Sequence, residues 1–245
     1  MMRRSTISVF YIVLFLGSPS LQGQTTGNVY NPVITTGESA FEYRTAYVPA
    51  SGANSGRFAH RVHYQKQDFQ DNLRWRTLIQ ASDVTAGQQE LDFFQAELLW
   101  QFRNRSTHGW DSSLRFDGRI STNDRLADRV GVNWATQRNI NSRWQLRGIV
   151  FAAHELGDQS RSGTFLETRA RISYRLQSGS TAALEMFNAY GRSNNTGSFQ
   201  TQRHRIGPMF SGNLGRGFAF NLGVLWGLSD AADNIDIRAA LIKNF

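Results

Sequence analysis

The chain has 245 residues, of which 40% are hydrophobic, and a formal net charge of +8. It contains no cysteine, which excludes a disulfide framework and thiolate metal sites. The positive charge comes from twenty-five arginines and only two lysines, Lys66 and Lys243. Because the arginines recur along the chain instead of forming one patch, we expect no nucleic-acid partner.

The N-terminus has the pattern of a secretory signal peptide. Two arginines precede an apolar run from Ile7 to Leu16, and small residues follow it. This run is shorter than the roughly 20 apolar residues that a membrane-spanning helix needs. We therefore expect residues 1–23 to be a signal peptide, with cleavage after Ser20 or after Gly23.

The rest of the chain consists of segments of roughly 8 to 13 residues in which apolar and polar side chains alternate. Within one of them, Leu114 and Phe116 alternate with Arg115 and Asp117. A period of two is typical of a strand with one apolar face. Turn residues separate the segments, so we predict twelve strands. They are 38–48, 57–66, 72–82, 90–102, 110–120, 129–136, 143–153, 165–177, 181–191, 201–211, 217–228 and 235–245.

An even number of such strands is typical of a bacterial outer-membrane β-barrel, with apolar residues facing lipid and polar residues facing the lumen. The last strand ends in an aromatic residue, Phe245, and the links 49–56, 121–128, 154–164 and 192–200 are polar and mostly longer than the alternate links. We predict an all-β fold: a single transmembrane antiparallel up-and-down barrel over residues 38–245, in the bacterial outer membrane.

A soluble β-sandwich is the alternative, because its strands alternate in the same way. The signal peptide, Phe245 and a band of outward-facing aromatic residues near the periplasmic strand ends disfavour it. The band consists of Tyr64, Trp100, Phe102, Trp110, Trp134 and Trp144. Residues 24–37 precede the first strand, and we expect them to lie in the periplasm or to tuck into the lumen.

The alternation places most of the charge on the inward face. Fifteen arginines are predicted to point inward together with seven acids, an excess of about eight positive charges. The arginines are Arg44, Arg61, Arg74, Arg76, Arg115, Arg119, Arg129, Arg143, Arg147, Arg169, Arg171, Arg175, Arg203, Arg205 and Arg238. The acids are Glu42, Glu97, Asp111, Asp117, Glu167, Glu185 and Asp236.

Two interpretations of this inward face remain open. In the first, arginines and acids pair into a network that plugs and stiffens a narrow barrel. In the second, the surplus arginines form a path along which an anion moves between successive guanidinium groups.

In strand number, size, inward arginines and C-terminal Phe245, the chain resembles the small twelve-stranded, oligosaccharide-specific monomeric porins, whose lumen carries arginine tracks for acidic sugars. The resemblance implies a monomer that passes small anionic solutes or acidic oligosaccharides by diffusion, with no cofactor, no metal and no catalytic residue. It implies a pore-lining role for Arg44, Arg74, Arg76, Arg115, Arg119, Arg147, Arg169, Arg171, Arg175, Arg203 and Arg205.

We expect three kinds of partner. Outer-membrane lipid and lipopolysaccharide would surround the barrel, the barrel-assembly machinery would bind the C-terminal strand ending in Phe245, and a small anionic solute would enter the lumen.

An outer-membrane enzyme acting on lipid or lipid A is the alternative function. Such an enzyme needs a base within hydrogen-bond reach of a nucleophile or a water. His60 and His204 are predicted to face outward near the outer rim, while His154 and Glu155 are predicted in an outward loop. The sequence contains no G-x-S-x-G or H-E-x-x-H motif, so we regard a catalytic site as the weaker hypothesis.

Overall fold

The computed structural model describes residues 26–51, 56–85 and 88–245. The predicted signal peptide, residues 1–23, lies outside the described residues. The described chain contains twelve β-strands, one four-residue helix and one 3-10 turn. The strands are β1 Ser39–Val48, β2 Arg57–Lys66, β3 Leu73–Thr85, β4 Gln88–Arg103, β5 Asp111–Ser121, β6 Asp128–Asn139, β7 Trp144–Leu156, β8 Phe165–Arg175, β9 Thr181–Arg192, β10 Arg203–Gly215, β11 Phe218–Gly227 and β12 Ile235–Asn244.

Each strand pairs antiparallel with its neighbours in sequence, and β1 pairs with β12, so the sheet closes into a barrel. The closing ladder runs from Ala40 opposite Asn244 to Tyr47 opposite Ile237. At its end the Phe245 amide donates a hydrogen bond of 3.0 Å to the carbonyl of Ser39. Closure satisfies every strand edge, which a membrane requires because lipid offers no hydrogen-bond partners. The predicted twelve-stranded barrel is confirmed.

The outer surface carries an apolar belt of alternate strand residues. Large side chains such as Phe94, Phe116, Trp134 and Leu222 are about half exposed on this face. A water-soluble protein rarely exposes apolar surface on this scale, whereas lipid covers it favourably. The belt and the closed barrel together place the chain in the bacterial outer membrane, as predicted.

The two ends of the barrel differ. The terminal end is where β1 begins and β12 ends, and the loop end is the opposite one. Aromatic rings cluster near the terminal end on the outer face, at centroid separations of 4.9 to 5.7 Å. The pairs are Tyr64–Trp75, Trp100–Phe102 and Trp144–Tyr174. Aromatic girdles of this kind sit at the membrane interface of outer-membrane barrels.

Strand β4 departs from strict alternation near its start. Gln80 of β3 lies opposite Phe93 of β4, while Ala81 lies opposite Leu91, so Asp92 is an extra residue in a β-bulge. The bulge turns Asp92 into the lumen and exposes Leu91 on the outer face, although simple alternation assigns each to the other side.

The link between β7 and β8 is shorter than predicted. His154 and Glu155, predicted in an outward loop, belong to β7 and lie opposite Val130 and Arg129 of β6. Their polar side chains suggested a loop, but the β6–β7 ladder continues through both residues.

The turn between β4 and β5 contains a short helix, α1 Arg105–His108. Asn104 caps it, because its side-chain oxygen accepts a hydrogen bond of 2.9 Å from the Ser106 amide. Among the described residues, the helices are too short and too polar to cross a membrane.

Candidate functional site

Two main cavities lie in the described part of the lumen, one of about 180 Å³ toward the loop end and one of about 520 Å³ toward the terminal end. Each of the eleven arginines predicted to line the pore borders at least one of them. The cavity at the loop end contacts Arg44, Arg76, Arg115, Arg119, Arg169, Arg203 and Arg205. The cavity at the terminal end contacts Arg44, Arg74, Arg76, Arg147, Arg171 and Arg175.

Many of these arginines form ion pairs across or along the wall. Glu97 lies between two of them, 3.4 Å from Arg76 and 3.3 Å from Arg115. Further wall pairs include Arg44–Glu42 (2.6 Å), Arg74–Glu38 (3.2 Å), Arg129–Asp117 (3.1 Å), Arg169–Glu167 (2.5 Å), Arg171–Glu185 (3.0 Å), Arg205–Asp236 (2.9 Å) and Arg238–Asp236 (2.7 Å). The predicted network of arginines and acids is therefore present.

Arg61, Arg119 and Arg147 are inward arginines that form no ion pair with a carboxylate among the described residues. They donate hydrogen bonds to neutral oxygens, from Arg61 to Gln80, from Arg119 to the carbonyl of Ala127 and from Arg147 to Gln137. A neutral acceptor leaves the positive charge of the guanidinium uncompensated, so these residues add to the positive potential of the lumen.

The N-terminal segment, residues 26–37, lies inside the barrel. It enters at the terminal end, where the Gly37 amide donates to Gln67, and it reaches inward to Thr26, whose hydroxyl donates to Gln80. Five of its backbone carbonyls accept hydrogen bonds from five wall arginines. The bonds are Thr26–Arg44 (3.3 Å), Gly27–Arg238 (2.8 Å), Asn28–Arg169 (2.9 Å), Val29–Arg147 (2.9 Å) and Asn31–Arg74 (3.3 Å).

Three apolar side chains anchor the N-terminal segment. Val29, Tyr30 and Ile34 are buried in one cluster with apolar residues of the wall, and the Arg115 guanidinium lies 4.3 Å from the centroid of the Tyr30 ring. The wall residues of the cluster are Leu99, Ala135, Ile149, Phe187 and Leu225. The segment lies between the two cavities: Asn28 contacts both, and residues 29–31 contact only the one at the terminal end.

Sequence reasoning missed several inward residues. Phe93 and Phe151 face the lumen, where the guanidinium of Arg119 lies 4.9 Å from the Phe93 centroid and that of Arg129 lies 5.0 Å from the Phe151 centroid. Both are apolar residues at positions where the alternation along the strand predicts a polar, inward-facing side chain, and this mismatch was the only sign of them in the sequence. Asp92, placed inward by the bulge, accepts hydrogen bonds at 3.0 Å from Gln80 and 2.9 Å from Ser82.

The outward loop 157–164 is held against the rim by Glu155. This carboxylate is 2.7 Å from Arg161 and 2.5 Å from Arg192. The pKa of Arg161 lies above its ordinary value because its guanidinium donates hydrogen bonds to the Glu155 carboxylate. Arg143, predicted to face inward, lies in the turn before β7, where it borders the cavity at the terminal end and donates a hydrogen bond to the hydroxyl of Tyr174.

The histidines considered for the enzyme hypothesis are dispersed. The ring of His60 contacts the Tyr43 hydroxyl at 2.6 Å. His204 is buried and its ring nitrogens contact side-chain oxygens of Asn188 and Gln202 at 3.0 and 2.9 Å. His154 is exposed on the outer face, opposite in direction to Glu155, because consecutive strand residues point to opposite sides. Within the described ranges, no three His, Asp or Glu side chains are grouped so as to hold a metal ion.

The fold is that of the small outer-membrane porins. The KdgM porin matches with a TM-score of 0.61 at 9% sequence identity, over 84% of this chain and 99% of that chain. The NanC porin matches with a TM-score of 0.60 at 12% identity, over 84% of this chain and 100% of that chain. The COG4313 outer membrane channel from Pseudomonas putida F1 matches with a TM-score of 0.65 at 10% identity, over 87% and 97% of the two chains.

These likenesses confirm, at the level of the fold, the architectural resemblance that the sequence indicated. The KdgM porin has also been solved in complex with disordered oligogalacturonate. No protein-family model matches the chain, and no curated protein matches it in sequence.

Proposed function

We propose that the protein is a monomeric outer-membrane channel that passes small anionic solutes, including acidic oligosaccharides, by diffusion. The observation that carries this proposal is the ring of inward arginines around both cavities. Pore selectivity follows the sign of the charges that line the pore, so such a lumen favours anions.

Uncompensated charge supports the proposal more than the number of arginines does. Paired arginines contribute little net field, whereas Arg61, Arg119 and Arg147 bind only neutral oxygens among the described residues. Arg61 and Arg119 border the cavity at the loop end and Arg147 borders the one at the terminal end. An anion would therefore meet an attractive potential on both sides of the N-terminal segment.

The chemistry of a related fold agrees with this substrate class. The KdgM porin carries oligogalacturonate, a polymer of sugar carboxylates, in its solved complex. Guanidinium groups bind carboxylates through paired, charge-assisted hydrogen bonds. We extend this class of solute to the present chain on the basis of its own inward arginines.

A plugged structural barrel is the second candidate. The N-terminal segment favours it, because the segment occupies the lumen between the two cavities and binds five wall arginines.

Conductance in a planar bilayer under a salt gradient separates the two candidates. A channel of the proposed kind shows open intervals, and the reversal potential of its current has the sign expected for anion permeation. Selectivity for cations would overturn the proposal, and a barrel that never conducts would favour the structural role.

A further inference from the structure

We propose that the N-terminal segment is a displaceable plug, which closes the lumen at rest and leaves when an anionic solute takes over its arginine partners. This inference rests on the proposed channel function and adds a mechanism of regulation to it.

The contacts of the segment explain how it closes the lumen. Its five carbonyl bonds go to arginines on strands from several sides of the barrel. The strands concerned are β1, β3, β7, β8 and β12. A segment that binds the wall on several sides crosses the lumen instead of lying along one face, and this position accounts for the separation of the two cavities.

The wall contains apolar residues that fit the segment. Most inward positions are polar, but Leu99, Ile149, Phe187 and Leu225 face the lumen and are buried against Val29, Tyr30 and Ile34. Without the segment these side chains would lie in a water-filled lumen, which is unfavourable for apolar surface. The wall is therefore shaped for an apolar occupant at this level of the barrel, and the segment is that occupant.

The nature of the polar contacts makes the plug displaceable. Each arginine donates to a neutral backbone carbonyl, whereas an ionised carboxylate adds the attraction of opposite charges and can accept two parallel hydrogen bonds from one guanidinium. An entering anion offers the stronger acceptor to the same arginines. Arg147 is the most open to this competition, since its other acceptors, Gln137 and Gln145, are also neutral.

The segment also has a pivot. Gly37 joins it to β1 with a φ of +74°, in the left-handed region that glycine adopts without strain. A Cβ atom at this position would meet no neighbouring atom within 4 Å, so open space lies beside the backbone at this point. Movement about Gly37 would carry residues 26–34 out through the terminal end and leave the strands in place.

A triple variant removes the apolar anchor without changing the wall. Val29→Ser, Tyr30→Ser and Ile34→Ser together should loosen the segment and cause a loss of closed intervals in bilayer recordings. Val33→Ser is the matched control, because Val33 lies in the same segment but outside the buried cluster. This control should keep the wild-type closures.

Citrate, a compact tricarboxylate, serves as the probe of displacement, and uncharged sucrose as its control. Citrate should shift the wild-type and Val33→Ser channels toward their open level, and it should have little effect on the triple variant. Sucrose should leave all three unchanged.

The recordings distinguish a failure of the plug proposal from a failure of the channel proposal. If wild type and triple variant conduct anions equally and respond alike to citrate, the plug is overturned and the channel stands. If neither conducts under any condition, although both barrels are folded, the channel function itself is overturned and the plug falls with it.

A second measurement leaves every contact of the segment in place. Asn28 binds Arg169 through its backbone carbonyl, so Asn28→Cys preserves that bond and introduces the single cysteine of the chain. A water-soluble maleimide should label this cysteine slowly, and citrate should raise the rate. An unchanged rate in the presence of citrate would overturn displacement even if the triple variant failed to fold.

Discussion

Arg119 and Arg147 are the residues at which the proposed selectivity can be tested most cleanly. Neither forms an ion pair among the described residues, so replacing them leaves no buried carboxylate without its partner. We predict that Arg119→Gln with Arg147→Gln lowers the ratio of anion to cation permeability toward one, because the positive potential of the lumen falls. The measurement is the reversal potential under a salt gradient.

The control for this experiment is Arg138→Gln. Arg138 is exposed on the outer face of β6, so its loss removes one positive charge, half of what the double variant loses, without changing the lumen. A shift of the reversal potential half as large as that of the double variant would show that selectivity depends on total charge and not on the inward arginines.

Asp236 is the residue whose loss should cost most stability among the wall acids tested. It is 0% exposed and lies 2.9 Å from Arg205 and 2.7 Å from Arg238. We predict that Asp236→Asn lowers the free energy of unfolding by about 3 kcal/mol, because two buried cations lose their counter-charge. Urea unfolding of the refolded barrel in detergent measures this difference.

Asp233 provides the comparison for Asp236. It is partly exposed, pairs with the partly exposed Arg57 at 3.1 Å and lies 3.8 Å from Arg205, so Asp233→Asn should change the free energy of unfolding by less than about 1 kcal/mol. If the two variants lose the same stability, burial of the ion pair is not what stabilises this part of the wall.

The β10–β11 pair depends on a close approach of two backbones. At Gly207 a Cβ atom would overlap the carbonyl of Val224 and lie 2.9 Å from the Cα of Leu225. We predict that Gly207→Ala destabilises the barrel by about 1–3 kcal/mol, the usual cost of overpacking. The fraction of barrel that resists unfolding in SDS at rising temperature gives the measurement.

Gly118 is the matched position, since a Cβ there meets nothing within 4 Å and the residue also lies within a strand. Gly118→Ala should keep wild-type resistance to SDS. Equal loss in both variants would point to glycine flexibility instead of the contact with β11.

At the level of elements, the strands were predictable because their physical signal is local. Burial on one side of a wall gives a period of two, and this period located all twelve strands to within a few residues. The bulge at Asp92 was not predictable, because it depends on how β4 pairs with β3 and leaves no mark in one strand alone.

Across the whole molecule, Phe245 is expected to matter for assembly more than for stability. Its side chain is 73% exposed, so it adds little packing to the finished barrel. We propose that the barrel-assembly machinery binds the strand that it ends, and we predict that Phe245→Ala lowers the amount of folded protein in the outer membrane. Refolding of the same variant into detergent should match wild type; impaired refolding there would assign Phe245 a structural role instead.

The contents of the lumen were only partly predictable. The inward arginines followed from the alternation along each strand, and their excess over the acids meant that some of them would bind groups other than carboxylates. Which carbonyls they bind could not be inferred, because the N-terminal segment contributes backbone atoms that every residue possesses. Its apolar anchors, Val29 and Ile34, are too few to show periodicity.

The bonds between the N-terminal segment and the wall also have a mechanical consequence. A thin cylinder under lateral pressure from lipid flattens unless something ties its opposite sides together. The segment joins β1 and β12 to β7 and β8 through the interior, as an internal strut would. The barrel should therefore keep a rounder cross-section with the segment seated, and should become more compliant to membrane tension once the segment leaves.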